Sequence, residues 1–387
     1  MRSVAIVGGS LAGLCAGRAL REQGFDGAIT VIGDEVHRPY DRPPLSKDFM
    51  LGTIDYSDLS LETDSEPDLQ WVLGRRAVRL DAGAAEIELD DGSRIGADGV
   101  VLATGARARP FPGPEMAGVH VLRTLDDALA LRAELQPGAR LAVIGAGFIG
   151  AEVASTARKL GVEVTVIEAA EVPLAGPLGP MLGAALSRVH GDNRVTLHCG
   201  TGVAELTGTD RVTGVALVDG RHVPADVVLV GIGAIPNVEW LHGGPVAVEN
   251  GVRCDSRGAT SVPQVVAVGD CASWYDPFLC RQHRVEHWTG AMERPSIAVA
   301  TLLAGAASGV GAAPAKPPYF WSEQYGKRIQ FAGYSHLADE VTIDLGAIDT
   351  LEFLAVYRRG GTPVAALGVN QPREFTRVRR TLAPLSR

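Results

Sequence analysis

Ser3-Val4-Ala5-Ile6-Val7-Gly8-Gly9-Ser10-Leu11-Ala12-Gly13 is an apolar run that breaks into closely spaced glycines and resumes with helical periodicity; Leu141-Ala142-Val143-Ile144-Gly145-Ala146-Gly147-Phe148-Ile149-Gly150 repeats the pattern. Each reads as a buried strand turning into a helix. A helix start presents unpaired N–H groups and the positive end of the helix dipole, so it suits a pyrophosphate. The first glycine permits the tight turn, the middle position lets backbone approach the phosphates, and the last lets helix pack on strand. Gly8, Ser10 and Gly13 are therefore candidates to bind one dinucleotide, with Ser10 standing where a middle glycine is usual, and Gly145, Gly147 and Gly150 to bind another. Two dinucleotides in one chain imply electron transfer between them.

Working outward, each fingerprint leads through a helix, at residues 11–23 and 148–160, to a second apolar strand, at 28–32 and 162–167. Glu168 ends the later strand and suits a ribose diol; its charge repels a 2′-phosphate, and no Arg or Lys lies between Ala169 and Gly179 to offset it, which favours NADH over NADPH. In the first copy Gly33 occupies that position, followed by Asp34 and Glu35, and Glu35 is the candidate ribose ligand. A solvated acid at a strand end is the plain alternative. Both copies close with an apolar strand and a glycine turn, 99–105 and 226–233, as parallel strands buried on both faces would. A third such strand, 265–270, lacks a fingerprint and returns the chain to the first domain. The resulting expectation is an α/β protein with two Rossmann-like dinucleotide-binding domains plus a small C-terminal α+β domain. The boundaries are 1–108 with 237–310 for a discontinuous first dinucleotide-binding domain, 109–236 for the second and 316–387 for the last, after a linker at 311–318. Within the last, 328–333, 340–345, 351–358 and 363–369 read as short strands.

At 46% hydrophobic and 21% charged the chain falls among ordinary globular proteins. Its net charge of −9 argues against a general nucleic-acid binder. The five cysteines, Cys15, Cys199, Cys254, Cys271 and Cys280, form no CxxC pair. His283 and His287 are spaced four apart but lack companion ligands, so no metal site is expected. No apolar run reaches the ~18 residues of a membrane span, and no charged-then-apolar leader precedes the first strand. A soluble, cytoplasmic protein with structural thiols is expected.

Further segments carry a resemblance. Arg38-Pro39-Tyr40-Asp41-Arg42-Pro43-Pro44-Leu45-Ser46-Lys47, then Gly269-Asp270, Val285-Glu286-His287-Trp288 with Ala291, and Tyr319-Phe320-Trp321-Ser322-Glu323-Gln324-Tyr325 are similar to signature segments of the FAD-dependent NADH:ferredoxin reductases that serve bacterial oxygenases. These are the putidaredoxin reductase and biphenyl dioxygenase reductase type, with a glutathione reductase fold. The resemblance implies FAD contacts from Arg42, Lys47, Val78, Thr104, Gly105, Asp270, Glu286, Trp288 and Trp321. It implies NAD contacts from Phe148, Ile149, Gly231 and Gly233 beside the fingerprint glycines. It implies Lys47, Glu152 and Trp288 as the catalytic group, with lysine and glutamate paired near the flavin. Without it, the 38–47 segment is a surface loop, Asp270 a helix N-cap, Glu152 an acid in a first helical turn, and each Trp and Phe a core residue.

Disulfide-reducing relatives of this fold carry CxxxxC soon after the first domain's second strand; here there is no Cys between Cys15 and Cys199, so electrons must leave FAD directly. The implied activity passes electrons from NADH through FAD to a 2Fe–2S ferredoxin, and indirectly to a terminal dioxygenase or monooxygenase, in a monomer or homodimer that needs neither nucleic acid nor membrane. Two alternatives stay open: an NADH-dependent reductase of a small molecule, quinone or oxygen, and a redox-sensing interaction protein like apoptosis-inducing factor. Docking of an acidic ferredoxin on this acidic chain calls for a basic face, for which Arg281, Arg284, Arg294, Arg358 and Arg359 are candidates. Residues 171–181, rich in Gly and Pro, depart from the family pattern.

Overall fold

Val4, Ala5, Ile6 and Val7 are all buried, as are Val227, Val228, Leu229 and Val230; such continuous apolar runs can lie only inside a sheet covered on both faces. The computed structural model describes residues 1–305 and 316–382 and divides into two compact units. The first comprises Met1–Asp41, Ser60–Arg107 and Ile235–Pro318; the second comprises Arg42–Leu59, Ala108–Ala234 and Tyr319–Arg387. Most of the linker expected at 311–318 lies outside the described residues, as does the end of the first-domain segment drawn to 310.

The first unit is built on a five-stranded parallel sheet in the order Val265–Ala267, Gly99–Leu102, Ser3–Val7, Ala28–Gly33, Gln70–Leu73. Helices Leu11–Glu22 and Trp288–Ala304 pack against each other beside it. The second unit has the equivalent parallel sheet, in the order Val119–His120, Val227–Val230, Arg140–Ile144, Glu163–Ile167, Thr196–His198. The repeat goes further than the fingerprints. Each copy inserts a three-stranded antiparallel meander before the strand that precedes its second glycine turn: Ala77–Asp81, Glu86–Leu89 and Arg94–Gly96 in one, Val203–Gly208, Val212–Leu217 and His222–Pro224 in the other. Each Val, Leu or Ile side chain sealed in these sheets contributes roughly 1.5–3 kcal/mol.

The second unit also holds a five-stranded antiparallel sheet, Tyr319–Gln324, Lys327–Gly333, Thr362–Val369, Glu352–Arg359, Glu340–Ala347, with helix Pro372–Arg379 against it. Residues 171–181, which broke the sequence pattern, find their reason here. They lead into helices Ala175–Leu178 and Pro180–Asp192, whose Leu178, Leu182, Leu186 and Val189 share a core with Phe331, Phe353 and Leu367. Tyr357 Oη donates to the Leu178 carbonyl at 2.7 Å and Ser335 Oγ to the Pro177 carbonyl at 2.6 Å.

The fingerprint glycines serve different ends. A Cβ on Gly150 would lie 2.3 Å from the Gly145 carbonyl oxygen, whereas one on Gly147 meets nothing within 4 Å. Gly150→Ala is therefore expected to cost about 2–3 kcal/mol through backbone displacement. Gly147→Ala should stay within about 0.5 kcal/mol of the parent, as open surface positions do. Thermal unfolding of the two variants checks this, and equal losses in both would contradict it.

Candidate functional site

In the first unit the turn after Ser3–Val7 is locked from both sides. Gly8 has φ +125°, and a Cβ there would lie 2.0 Å from the Ala103 carbonyl oxygen; one on Gly13 would lie 1.9 Å from the Gly8 carbonyl oxygen. Ser10 is the extended N-cap of Leu11–Glu22. Glu35, just past strand Ala28–Gly33, accepts a hydrogen bond from Tyr40 Oη at 2.5 Å. Trp288 opens helix Trp288–Ala304 and donates from Nε1 to Asp41 Oδ1 at 2.7 Å, so it is tied to the 38–47 segment. Thr104 Oγ1 donates to the Asn237 carbonyl at 2.7 Å, and Gly105 follows with φ +64°. Asp270 sits in the short turn Gly269–Cys271, whose N-cap is Val268, so it does not cap a helix itself. Val78 lies on the separate meander, its side chain 41% exposed.

Glu286 forms an ion pair with Arg284. This corrects one expectation for docking. Arg284 also donates to Asn250 Oδ1 and the Asp270 carbonyl, both at 3.2 Å, and its side chain is only 11% exposed, so it supports this turn rather than meeting a partner. Arg358 is paired with Asp344 at 2.5 Å and Arg294 lies over the Trp274 ring at 4.9 Å, while Arg281 and Arg359 are exposed.

The second unit repeats the cradle. Gly145 has φ +101° and would place a Cβ 2.4 Å from the Gly231 carbonyl oxygen. Gly147 is the extended N-cap of Phe148–Lys159. Glu168 is oriented by the backbone: Oε2 accepts from Ala146 N at 2.8 Å and Oε1 from Ala170 N at 2.9 Å. The carboxylate of the second strand is thus moored to the fingerprint turn itself. Gly233, φ +100°, accepts at its carbonyl from Arg109 N at 2.9 Å. Ile149 is exposed, and Phe148 packs on Phe320 with ring centroids 4.6 Å apart. Arg42 donates to the Arg123 carbonyl at 2.6 Å, and Trp321 stacks on Tyr319 at 6.0 Å.

Lys47 and Glu152 meet as a buried ion pair, with Lys47 Nζ 2.6 Å from Glu152 Oε2 and Glu152 only 6% exposed. Sequence reasoning missed the hydroxyls around them. Ser46 Oγ donates to Oε2 at 2.5 Å and Ser322 Oγ to Oε1 at 2.6 Å, while Gln324 Nε2 donates to Ser322 Oγ at 3.0 Å. Lys47 Nζ also donates to the Pro43 carbonyl at 2.9 Å. The alternation of Phe320, Ser322 and Gln324 puts them on one strand face, but that this face meets Phe148 and Glu152 is not a local property of the sequence. Of the three expected catalytic residues, Lys47 and Glu152 are brought together in the second unit, and Trp288 belongs to the first.

Both cradles fit a pyrophosphate: tight glycine turns at helix starts, with open space above Gly147. The sequence profile of the pyridine nucleotide-disulphide oxidoreductase family matches residues 2–294, and that of a reductase C-terminal domain matches 319–385. The chain belongs to the pyridine nucleotide-disulphide oxidoreductase family and is an oxidoreductase that uses FAD and NAD(H). It is 37% identical to rhodocoxin reductase of Rhodococcus erythropolis, over 98% of this chain and 89% of that one. It is 39% identical to the ferredoxin reductase component of the chlorobenzene dioxygenase of Cupriavidus sp. (strain PS12), over 97% and 91%. Among solved structures, the covalent putidaredoxin reductase–putidaredoxin complex matches with TM-score 0.93 and 33% identity, over 98% of this chain and 93% of that chain.

Despite the family's name, none of the five cysteines takes part in a disulfide. Burial pushes the Cys15, Cys199, Cys254 and Cys271 thiols up, away from the reactive thiolate. No helix among the described residues is long and apolar enough to cross a membrane.

The helix that carries Glu152 is also pinned farther along. Ser155 Oγ accepts from Tyr325 N at 2.7 Å, and Tyr325 Oη lies 2.9 Å from His190 Nδ1. Burial lowers His190 from 6.5 to about 4. The unfolded chain therefore takes up this proton first, and stability is lost as pH falls from 6.5 towards 4. Between pH 7 and 5 the His190 share is about 2 kcal/mol. His190→Gln should remove that share of the acid loss in urea unfolding, leaving the contribution of His287, which burial also lowers to about 4. An unchanged pH dependence in the variant would refute the assignment.

Proposed function

We propose that this chain is the NADH-dependent reductase of a 2Fe–2S ferredoxin that serves an oxygenase. The observation that carries this reading is the combination of two dinucleotide cradles with no thiol relay. Its full-length similarity to ferredoxin reductase components of dioxygenase systems supports it. In this reading FAD is held by the first cradle, with Glu35 at the ribose, Thr104, Gly105, Asp270 and Glu286 along its length, and Val78 by its backbone. Trp288, Arg42, Trp321 and the Lys47–Glu152 pair attend the flavin. NADH is held at residues 145–150, with Glu168 on the ribose and Phe148, Ile149, Gly231 and Gly233 beside it. The bound flavin supplies the chemistry of accepting an electron pair and releasing electrons singly. The protein contributes alignment and charge: Lys47 balances negative charge, Glu152 keeps Lys47 in place, and Phe148 shields the ring from water.

Anaerobic stopped-flow tests the reading. NADH should bleach the flavin, and a 2Fe–2S ferredoxin should then be reduced much faster than oxygen is. Faster turnover with oxygen or a quinone would favour a small-molecule reductase. Arg281→Glu should slow ferredoxin reduction roughly 3–10-fold without touching flavin reduction, because exposed charges act on encounter rates.

Coenzyme choice follows from Glu168. The fold also brings a cation near it, which the local sequence did not reveal: Arg221 Nη1 lies 2.9 Å from His198 Nδ1, and the His198 carbonyl accepts from Glu168 N at 2.7 Å. Arg221 is engaged by Asp219 at 2.9 and 2.6 Å, so its charge is answered locally. NADH should be preferred, and Glu168→Arg should narrow or invert the ratio of kcat/KM values for NADH and NADPH. A parent enzyme that already prefers NADPH would contradict this role.

A further inference from the structure

Glu152 has one lysine, two serines and a glutamine organised around it, and only the lysine has a stated task. Ser322 is 0% exposed on a strand face whose neighbour Phe320 packs on Phe148, a setting that ordinarily holds an apolar residue. Its hydroxyl is directed at both ends: it donates to Glu152 Oε1 at 2.6 Å and accepts from Gln324 Nε2 at 3.0 Å. Lys47 and Ser46 both act on the other oxygen, Oε2, and Lys47 Nζ also donates to Ser46 Oγ at 3.2 Å, so Ser46 touches the lysine directly. A carboxylate's terminal torsion is broad, so donors on one oxygen alone leave it free to turn. The donor on Oε1 closes that freedom. Among the described contacts Ser322 does not touch Lys47, so any influence on the lysine passes through Glu152.

We propose that Ser322, with Ser46 on the opposite oxygen, is a positioning residue that fixes the Glu152 carboxylate and thereby the place of the Lys47 ammonium. This rests on the reading above, in which Lys47 serves the flavin. A purely structural serine would satisfy a buried acid and affect only stability; a positioning serine changes how strongly lysine and glutamate are coupled.

The test uses the FAD-loaded full chain and two readouts. The first is a double-mutant cycle of Lys47→Met and Glu152→Gln on thermal stability, run with Ser322, Ser322→Ala and Ser322→Thr. The coupling should fall by at least half with alanine and return with threonine, which keeps the hydroxyl. The second readout is the flavin midpoint potential. Lys47→Met should move it negative, because a cation near the reduced flavin is lost. Ser322→Ala should move it the same way by less, and should add nothing in the Lys47→Met background. A lowered Tm with coupling and potential unchanged overturns the proposal. A reduced coupling with a potential insensitive to Lys47→Met supports the serine's hold on the pair and overturns the role of Lys47 at the flavin. Should Ser322→Ala fail to fold, Gln324→Leu, which frees the serine hydroxyl, must weaken the coupling; unchanged coupling there overturns the proposal.

Discussion

A carboxylate almost out of reach of water organises the second unit. Glu152 projects from helix Phe148–Lys159 and is answered by donors from residues 43–47 and from strand Tyr319–Gln324. Three stretches far apart in the chain must therefore arrive together, because a buried charge left unanswered costs far more than its hydrogen bonds return. Phe148 on Phe320, Glu152 on Ser322 and Ser155 on the Tyr325 amide run as successive contacts along one helix face. The helix that begins at the nucleotide cradle is thus the element against which the C-terminal sheet is aligned.

The cradles impose a second constraint of a different kind. At Gly8, Gly13, Gly145 and Gly150 any side chain would strike backbone, so these turns admit glycine alone, whereas a side chain at Gly147 would meet open space. Glu168 accepts from the amide of Ala146 within the turn, so one carboxylate both braces the cradle and stands at the end of the second strand, the position the proposed function gives to the ribose.

Much of this was legible in the residues. Apolar runs ending in glycine marked where seven of the parallel strands begin to within about a residue, because their periodicity and punctuation are local properties; the edge strands Gln70–Leu73, Val119–His120 and Thr196–His198, short or half-exposed, carry no such buried run and were not read. C-terminal strands expected at 328–333, 340–345, 351–358 and 363–369 appear at Lys327–Gly333, Glu340–Ala347, Glu352–Arg359 and Thr362–Val369. What stayed hidden depends on partners distant in sequence. Ser46 and Ser322 look like ordinary small polar residues until Glu152 is placed between them. The glycines and prolines at 171–181 look like a disturbed nucleotide site until Leu178 is seen in the C-terminal core. Arg284 looks like a docking charge until Glu286 and the Asp270 carbonyl take it.

The central claim is that electrons cross this protein between two nucleotides without a thiol station. Its most direct test is electron capacity: anaerobic titration of the FAD-loaded, fully oxidised chain, following the flavin band and free thiols together. One NADH per flavin should complete the reduction, with the same number of titratable thiols before and after. Uptake of a second equivalent, accompanied by the appearance of new thiols, would contradict it.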